Sequence, residues 1–324
     1  MLHIPLAWRQ SAATIRHERW RVILLLGCSD AGKSSYGRFL AGELAQAGQR
    51  VAIVDADIGQ KTVGPPTAVT LAHIEGTGEP ATAEAFYFVG SPDPVGRMLP
   101  LVVGTARLVG MADASFVIVD TTGYIEGAGR VLKSYKIDAV RPDVIVAIER
   151  RKELEAILHP YRARPMLRIR PSRKARSRDR WERDLAREMA FAAYFEAARR
   201  LELSLDDVIF QRSLLFSGEP MSLSGTLYAE RTVEGVVTVA ESPVPGIEVA
   251  KCIKPGFERS LLCGVADERN YGTGLAIIEA IDFGRRTLSL ISPVPRERLS
   301  VLQLGDLYLG ADGRELGRVD RAGF

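Results

Sequence analysis

Gly27-Cys28-Ser29-Asp30-Ala31-Gly32-Lys33-Ser34 has the G-x-x-x-x-G-K-[ST] spacing of a Walker A phosphate loop. The chemistry at stake is the handling of a nucleoside triphosphate. Glycines at 27 and 32 let successive backbone N–H groups turn inward around a phosphate. Lys33 is spaced to reach the β- and γ-phosphates, and the Ser34 hydroxyl to ligate Mg²⁺. Nucleotide contact is expected from Gly27, Cys28, Ser29, Asp30, Ala31, Gly32, Lys33, Ser34 and Ser35. Two acidic sites accompany the loop. Asp120 closes a hydrophobic run in the Walker B manner, as a carboxylate that holds Mg²⁺ directly or through its waters. Asp57 stands in Asp55-Ala56-Asp57-Ile58-Gly59-Gln60. A carboxylate beside the γ-phosphate is where a kinase needs a general base for an incoming hydroxyl. The alternative is that Asp55 and Asp57 only cap a strand-to-loop turn. The loop specifies a triphosphate and leaves the reaction open.

These residues need elements to hold them. Val22 to Leu26, just before the loop, is wholly apolar, as a strand buried on both faces of a parallel sheet must be. Ser34 to Gln46 places Phe39, Leu40 and Leu44 at helical spacing, and the positive end of that helix favours phosphate. Further strands are predicted at Val51–Val54, Ala85–Val89, Phe116–Val119 and Val144–Ile148, with helices over 94–112 and 128–140. Strands alternating with helices predict an α/β fold, a doubly wound parallel sheet of the P-loop NTPase kind. Ligands then bind at the C-terminal strand ends. The phosphate loop, the Asp55/Asp57 pair and Asp120 all fall there.

Arginine is concentrated after this region, at 162, 164, 168, 170, 173, 176, 178, 180, 183 and 187. From Asp179 to Leu201 the pattern is helical, with Trp181, Leu185, Met189, Ala192 and Phe195 three or four apart. Arg176, Arg180, Arg183 and Arg187 share that spacing. Either they close over the phosphates as a lid, or they track a polynucleotide backbone. The excess of Arg over Lys favours forked contacts to phosphate.

Composition narrows the class. The chain has 324 residues, 46% of them hydrophobic, and a net charge of +3. Three cysteines (Cys28, Cys252, Cys263) form neither a disulfide framework nor a zinc site, and four scattered histidines show no metal spacing. No apolar run approaches the roughly 20 residues of a membrane span, and no signal peptide is read. A cytoplasmic protein with no membrane partner is expected.

Several joined motifs over about residues 22 to 200 resemble those of the polynucleotide 5′-hydroxyl kinases. They are the Walker A loop, Asp55-Ala56-Asp57-Ile58-Gly59-Gln60, Gly64-Pro65-Pro66, Phe88-Val89-Gly90-Ser91-x-x-Pro94 and Asp120-Thr121-Thr122-Gly123. Lys136-Ile137 with Arg141-Pro142-Asp143, and Arg183-x-x-x-Arg187 leading into Tyr194-Phe195, complete the set. The resemblance implies ATP and Mg²⁺ as cofactors and a 5′-OH RNA or DNA as partner; protein partners are left unassigned. It implies catalytic roles for Lys33, for Asp57 as activator of the 5′-hydroxyl, and for Arg183 and Arg187 as lid residues on the transferring phosphoryl group. It implies metal contact from Ser34, Asp57 and Asp120. Substrate contact is implied for Gln60, for Thr121, Thr122, Gly123 and Tyr124 as a clasp, and for Arg176 and Arg180, whose equal spacing leaves the lid register open. Tyr124 stands where eukaryotic members often carry Trp.

From about residue 216 helical periodicity gives way to β-like runs at Gly235–Val239, Ala276–Ile281 and Thr287–Ile291, punctuated by prolines. A P-loop domain over 1–215, with its lid at about 170–190, and a small β-rich C-terminal domain over 216–324 are expected. Gly272-x-Gly274 reads as a turn. Two other functions fit the phosphate loop alone: an ATPase switch, and a non-catalytic ATP-binding scaffold.

Overall fold

The computed structural model describes residues 3–75, 79–80 and 82–319. By its internal contacts the chain divides into two units, Met1–Arg187 and Glu188–Phe324. The first runs α1 (Leu6–Glu18), β1 (Val22–Leu26), α2 (Lys33–Gln46), β2 (Val51–Ala56), β3 (Ala68–Glu75), β4 (Glu79–Pro80), β5 (Ala85–Phe88), α3 (Met98–Met111), β6 (Phe116–Thr121), α4 (Ala128–Val140), β7 (Val144–Ile148), α5 (Glu155–Leu158) and β8 (Met166–Ile169). The division falls within α6 (Arg180–Phe195).

The strand order in this unit is β5-β3-β2-β6-β1-β7-β8. β2, β6, β1, β7 and β8 are parallel, whereas β3 and β5 form an antiparallel edge. Alternate residues of the central strands feed two cores. Leu24, Leu26, Val54, Val119 and Ala147 meet α3, α4 and α5 on one face. Ile23, Leu25, Ile53, Ile118 and Val146 meet α1 and α2 on the other. Helices on both faces are why these strands carry no polar alternation. The doubly wound core is therefore as expected. β3 and β8 were not foreseen: β3 follows the turn-rich Gly64-Pro65-Pro66 stretch, and β8 lies inside the arginine run.

The second unit is β-rich. It runs β9 (Arg199–Ser204), β10 (Ile209–Gln211), β11 (Glu219–Pro220), β12 (Tyr228–Thr232), β13 (Gly235–Val239), β14 (Val249–Ile253), β15 (Leu261–Ala266), β16 (Gly272–Asp282), β17 (Thr287–Ser292), β18 (Val301–Leu309) and β19 (Glu315–Arg318). β10, β18, β15, β16, β17 and β9 pair in that order, and β11 to β14 make a smaller sheet. The helical pattern expected to reach Leu201 stops at Phe195. Leu201 and Leu203 alternate with charged residues, and β9 pairs with β17 through them, so cross-strand packing overrides the helical period. Gly272-x-Gly274 opens β16 and is not an isolated turn. A Cβ at Gly274 would collide with the Tyr194 hydroxyl, whose oxygen accepts the Leu275 N–H at 2.8 Å.

The lead-in to the phosphate loop is itself structural. Trp8 and Ile15 of α1 are fully buried against α2, where Trp8 packs edge-on to Tyr36 at 5.3 Å and tilted on Phe39 at 5.7 Å. Ser11 and Tyr36 hydroxyls hydrogen-bond at 2.8 Å. This anchors the helix that begins at Lys33. Trp8→Ala should cost about 3–5 kcal/mol of stability. Trp8→Phe should cost far less, because the Trp8 indole N–H has no hydrogen-bond partner to lose. Urea unfolding of both variants measures this; equal losses would mean that the indole ring's extra size, and not simple core filling, sets the stability.

Candidate active site

The site forms where β1, β2 and β6 end side by side. The phosphate loop leaves β1 and enters α2. Gly32 has φ +89°, a left-handed conformation that glycine adopts without strain. Asp30 also lies in that region, at φ +57°, where Asp is among the tolerated side chains. A Cβ at Gly27 would meet the Ile148 carbonyl at 2.6 Å, so the loop sits hard against β7. Lys33 is buried and its ammonium donates to the Cys28 carbonyl at 3.0 Å, within the loop it would leave to meet a phosphate.

On β2, Asp55 and Asp57 differ in kind. Both oxygens of fully buried Asp55 are committed. Oδ1 accepts the Asp57 N–H at 3.0 Å; Oδ2 accepts those of Thr62 at 2.7 Å and Val63 at 3.0 Å. Asp55 is thus the turn organiser, and the capping alternative is correct for it. Asp57 uses Oδ1 to accept Gly59 N–H at 3.2 Å and Gln60 N–H at 3.0 Å. Among the described residues none hydrogen-bonds its Oδ2. Asp120 is in register with Asp55 on the neighbouring strand and hydrogen-bonds Ser34. Burial first, then the Asp55 charge, pushes its carboxyl up to about 6, against the pull of Lys33 and Ser34.

Three buried lysines balance this charge; the sequence marked only Lys136, in the Lys136-Ile137 motif, and gave it no chemical role. Lys61 donates to the Asp55 carbonyl at 2.8 Å, Ala68 O at 3.2 Å and Thr70 Oγ1 at 3.0 Å, with Asp55 Oδ1 at 3.4 Å. Lys133 on α4 donates to Thr122 O at 2.5 Å and Thr122 Oγ1 at 3.0 Å. Lys136 is buried one turn on; burial pulls its ammonium down to about 7, and Asp57 and Asp120 pull it back up. The available signal was two lysines among Gly129, Leu132, Ile137 and Val140, on the face of α4 that otherwise reads as core.

The clasp segment is tightly placed. Thr121 Oγ1 donates to Leu25 O at 2.8 Å, and a Cβ at Gly123 would run into Ser29 of the phosphate loop. Tyr124 is half-buried and leans on the core beside Gly129.

Arg183 is the residue of the arginine-rich helix that reaches the phosphate loop. Its guanidinium donates to Asp30 Oδ2 at 2.8 Å, and the Arg178 N–H donates to the same oxygen at 3.0 Å. Burial alone would raise the Asp30 carboxyl; the Arg178 N–H and the Arg183 guanidinium outweigh it and hold it below the usual range. Gln60 adds a second tie, donating to Arg183 O at 3.0 Å and accepting from Arg178 at 3.3 Å. Arg187 is mostly buried and pairs with Asp184 at 2.8 Å. Arg176 pairs with Glu182 at 2.7 Å, and Arg180 projects into solvent near Asp184 at 3.7 Å. Arg168 is spoken for by Glu149 at 2.7 Å and Glu155 at 2.8 Å. Arg150, Arg170 and Arg173 line an open cleft of about 240 Å³ with Pro171, Ser172 and Ala175.

Fold and site together define a P-loop nucleotide-binding protein with an arginine-bearing segment held over its phosphate loop. Residues 27–197 match the family described as mRNA cleavage and polyadenylation factor CLP1 P-loop, and the chain belongs to that family. It is 34% identical to a polyribonucleotide 5′-hydroxyl-kinase of Pyrococcus furiosus, over 92% of this chain and 90% of that protein. The corresponding figures for the like-named protein of Methanocaldococcus jannaschii are 32%, 92% and 90%. A solved complex of Clp1p with Pcf11p shares the fold, with a TM-score of 0.64 at 12% identity, over 93% of this chain and 78% of that one. Among the described residues no helix is long and apolar enough to cross a membrane.

Asp30 places a negative charge inside a loop built for phosphate. Asp30→Asn keeps a residue suited to its backbone conformation and removes that charge. Calorimetric titration should show ATP binding several-fold tighter in the variant, and amide exchange of residues 176–187 should be faster. Weaker ATP binding with unchanged exchange would show that Asp30 does not tie the helix down.

Proposed function

We propose that this chain transfers the γ-phosphate of ATP to the 5′-hydroxyl end of a polynucleotide, RNA or DNA. One observation supports this best. Of two carboxylates ending β2, Asp55 is consumed by its own turn, whereas Asp57 keeps an oxygen without a hydrogen bond beside the phosphate loop. A static scaffold has no need of a base poised there, and a hydrolytic switch would use it on water, which the assay without acceptor distinguishes.

The division of labour follows from the contacts. Lys33 exchanges the Cys28 carbonyl for the β- and γ-phosphates. The 5′-oxygen attacks the γ-phosphorus, its proton passes to Asp57, and the bond from γ-phosphorus to the β–γ bridging oxygen breaks. Arg183 exchanges Asp30 for the transferring group, whose charge spreads over its equatorial oxygens, and Arg187 supports it from the next turn. Ser34, Asp57 and Asp120 are hard oxygen donors that suit Mg²⁺, and the crowding that raises Asp120 is what a divalent cation relieves. When bound, Mg²⁺ would neutralise charge on the β- and γ-phosphates. Thr121, Thr122, Gly123 and Tyr124 are assigned to the terminal nucleotides, Gln60 to the junction of lid and substrate, and exposed Arg176 and Arg180 to the backbone. The P-loop domain with its lid is proposed as 1–215, and no catalytic step is assigned to 216–324.

The test is transfer from γ-labelled ATP to 5′-OH RNA and DNA oligonucleotides, scored beside ATP hydrolysis without acceptor, with Lys33→Ala as the inactive control. Asp57→Asn should remove most transfer and weaken ATP binding far less, since an amide cannot take the proton. Unchanged turnover would eliminate Asp57 as the base, and a large loss of Mg·ATP affinity would assign it to the metal instead.

The arginines separate by a second measurement. An arginine on the transferring group is worth about 10³- to 10⁵-fold in rate, whereas a backbone contact adds about one unit of salt slope. Arg183→Ala should lower turnover at saturating oligonucleotide and leave the salt dependence of binding unchanged. Arg170→Ala and Arg173→Ala should weaken oligonucleotide binding with a shallower slope and recover turnover at high substrate. A raised KM for ATP in the latter pair would give their cleft to the nucleotide.

A further inference from the structure

Lys133 and Lys136 lie three residues apart on the buried face of α4, yet their surroundings differ. Lys133 is satisfied by Thr122 and braces the clasp segment. The Lys136 side chain is wholly buried, and among the described residues its nitrogen has no hydrogen-bond partner. Buried polar groups in folded proteins are almost always paired, and an orphan calls for a reason. Among the charges that bear on Lys136, Asp57 comes first, then Asp120, Lys61 and Asp55, and Lys133 one turn away also bears on it. Asp55 and Lys61 are already bonded to each other's loop, and Asp120 is bonded by Ser34 and by the Thr121 N–H at 2.8 Å. Asp57 has one oxygen held by Gly59 and Gln60, and its other oxygen has no bond. The strongest charge felt by the orphan donor thus belongs to a carboxylate with an orphan acceptor.

We propose that Lys136 is a positioning residue for the phosphoryl-transfer step, whose amino group donates to Asp57 as the site loads and fixes that carboxylate on the 5′-hydroxyl. An amino group donates in either protonation state. A carboxylate oxygen carries more than one acceptor site, so Oδ2 takes this bond and still receives the hydroxyl proton. The inference rests on Asp57 being the base, as proposed above.

Lys136→Met is the discriminating variant. It removes a buried, unpaired amine and keeps an unbranched chain of similar length. If Lys136 were only filling space, the change would leave turnover intact and be neutral or stabilising. The expected result is a thermal midpoint equal to or above wild type, unchanged ATP and oligonucleotide affinities, and a kcat for transfer lower by about 10- to 100-fold, the range that misplacement of a reacting group produces. Acceptor-independent ATP hydrolysis should fall much less. Lys136→Gln, shorter and polar, serves should the methionine variant not fold.

Single-turnover rates in an Asp57→Asn background complete the test, because a residue acting through Asp57 has nothing left to position there. Lys136→Met should then add no further loss. Wild-type transfer with an unimpaired Lys136→Met enzyme would overturn the inference and leave the kinase standing. So would a loss of activity that tracks a loss of stability, or the same fold-loss in both backgrounds. Absence of transfer by the wild type would overturn the kinase itself.

Discussion

The structure depends on how it manages carboxylates that adjacent parallel strands force together. β2 and β6 pair with Asp55 opposite Asp120, both buried, and Asp57 follows one turn of chain later. Uncompensated charges in such a place are untenable. The chain answers with cations from three directions. Lys33 rises from the start of α2, Lys61 folds back from the loop after β2, and Lys133 and Lys136 come through the core from α4. None is a surface lysine that happened to reach in. Each spends a position that hydrophobic packing would otherwise claim, and that expenditure makes sense only where the negative charge has work to do.

The same electrostatics explains how the arginine-bearing segment is kept. The Arg183 guanidinium finds its anion in Asp30, within the phosphate loop itself. Gln60, whose N–H is held by Asp57, donates its side-chain amide to the Arg183 carbonyl. The tie therefore joins the loop after β1, the loop after β2 and the start of α6. A phosphate entering the loop competes with Asp30 for the same guanidinium. Under the proposed function, loading the site would free the segment without a separate signal.

Much of this was legible in the sequence, for a physical reason. Strands buried on both faces must be continuously apolar, so Val22–Leu26, Phe116–Val119 and Val144–Ile148 stood out, and glycine and acidic residues at their ends marked the site. What was missed is what depends on tertiary partners. The short strand Met166–Ile169 carries Arg168, which is exposed at the end of the sheet and pairs with Glu149 and Glu155, so the strand lacks the apolar run of its neighbours. α1 carries no clear signal in the sequence because its buried stripe is Trp8, Ser11, Ala12 and Ile15, which gains its hold only from Tyr36 and Phe39 opposite. The distinction between Asp55 and Asp57 needed hydrogen bonds, since both satisfy the same spacing. The helical reading ran past Phe195 because Ala197 and Ala198 suit a helix, while the pairing that begins at Arg199 is non-local.

An economy of exchange runs through the bonds around the loop. Lys33 is bonded to Cys28 O, Arg183 to Asp30, and Asp57 to two backbone N–H groups. Each cation therefore gives up a bond of the kind it would make to phosphate, so little of the binding energy of ATP goes into creating order and the site is held close to its working geometry. Asp57 differs, because its backbone bonds need not be broken for its second oxygen to act. Preorganisation of that oxygen must come from below, where α4 is packed through Leu132 and Ile137 into the same core as β6. On the proposed reading, Lys136 would link the packed core to the Asp57 carboxylate through one helix face. Substitutions in that face are expected to separate binding from turnover.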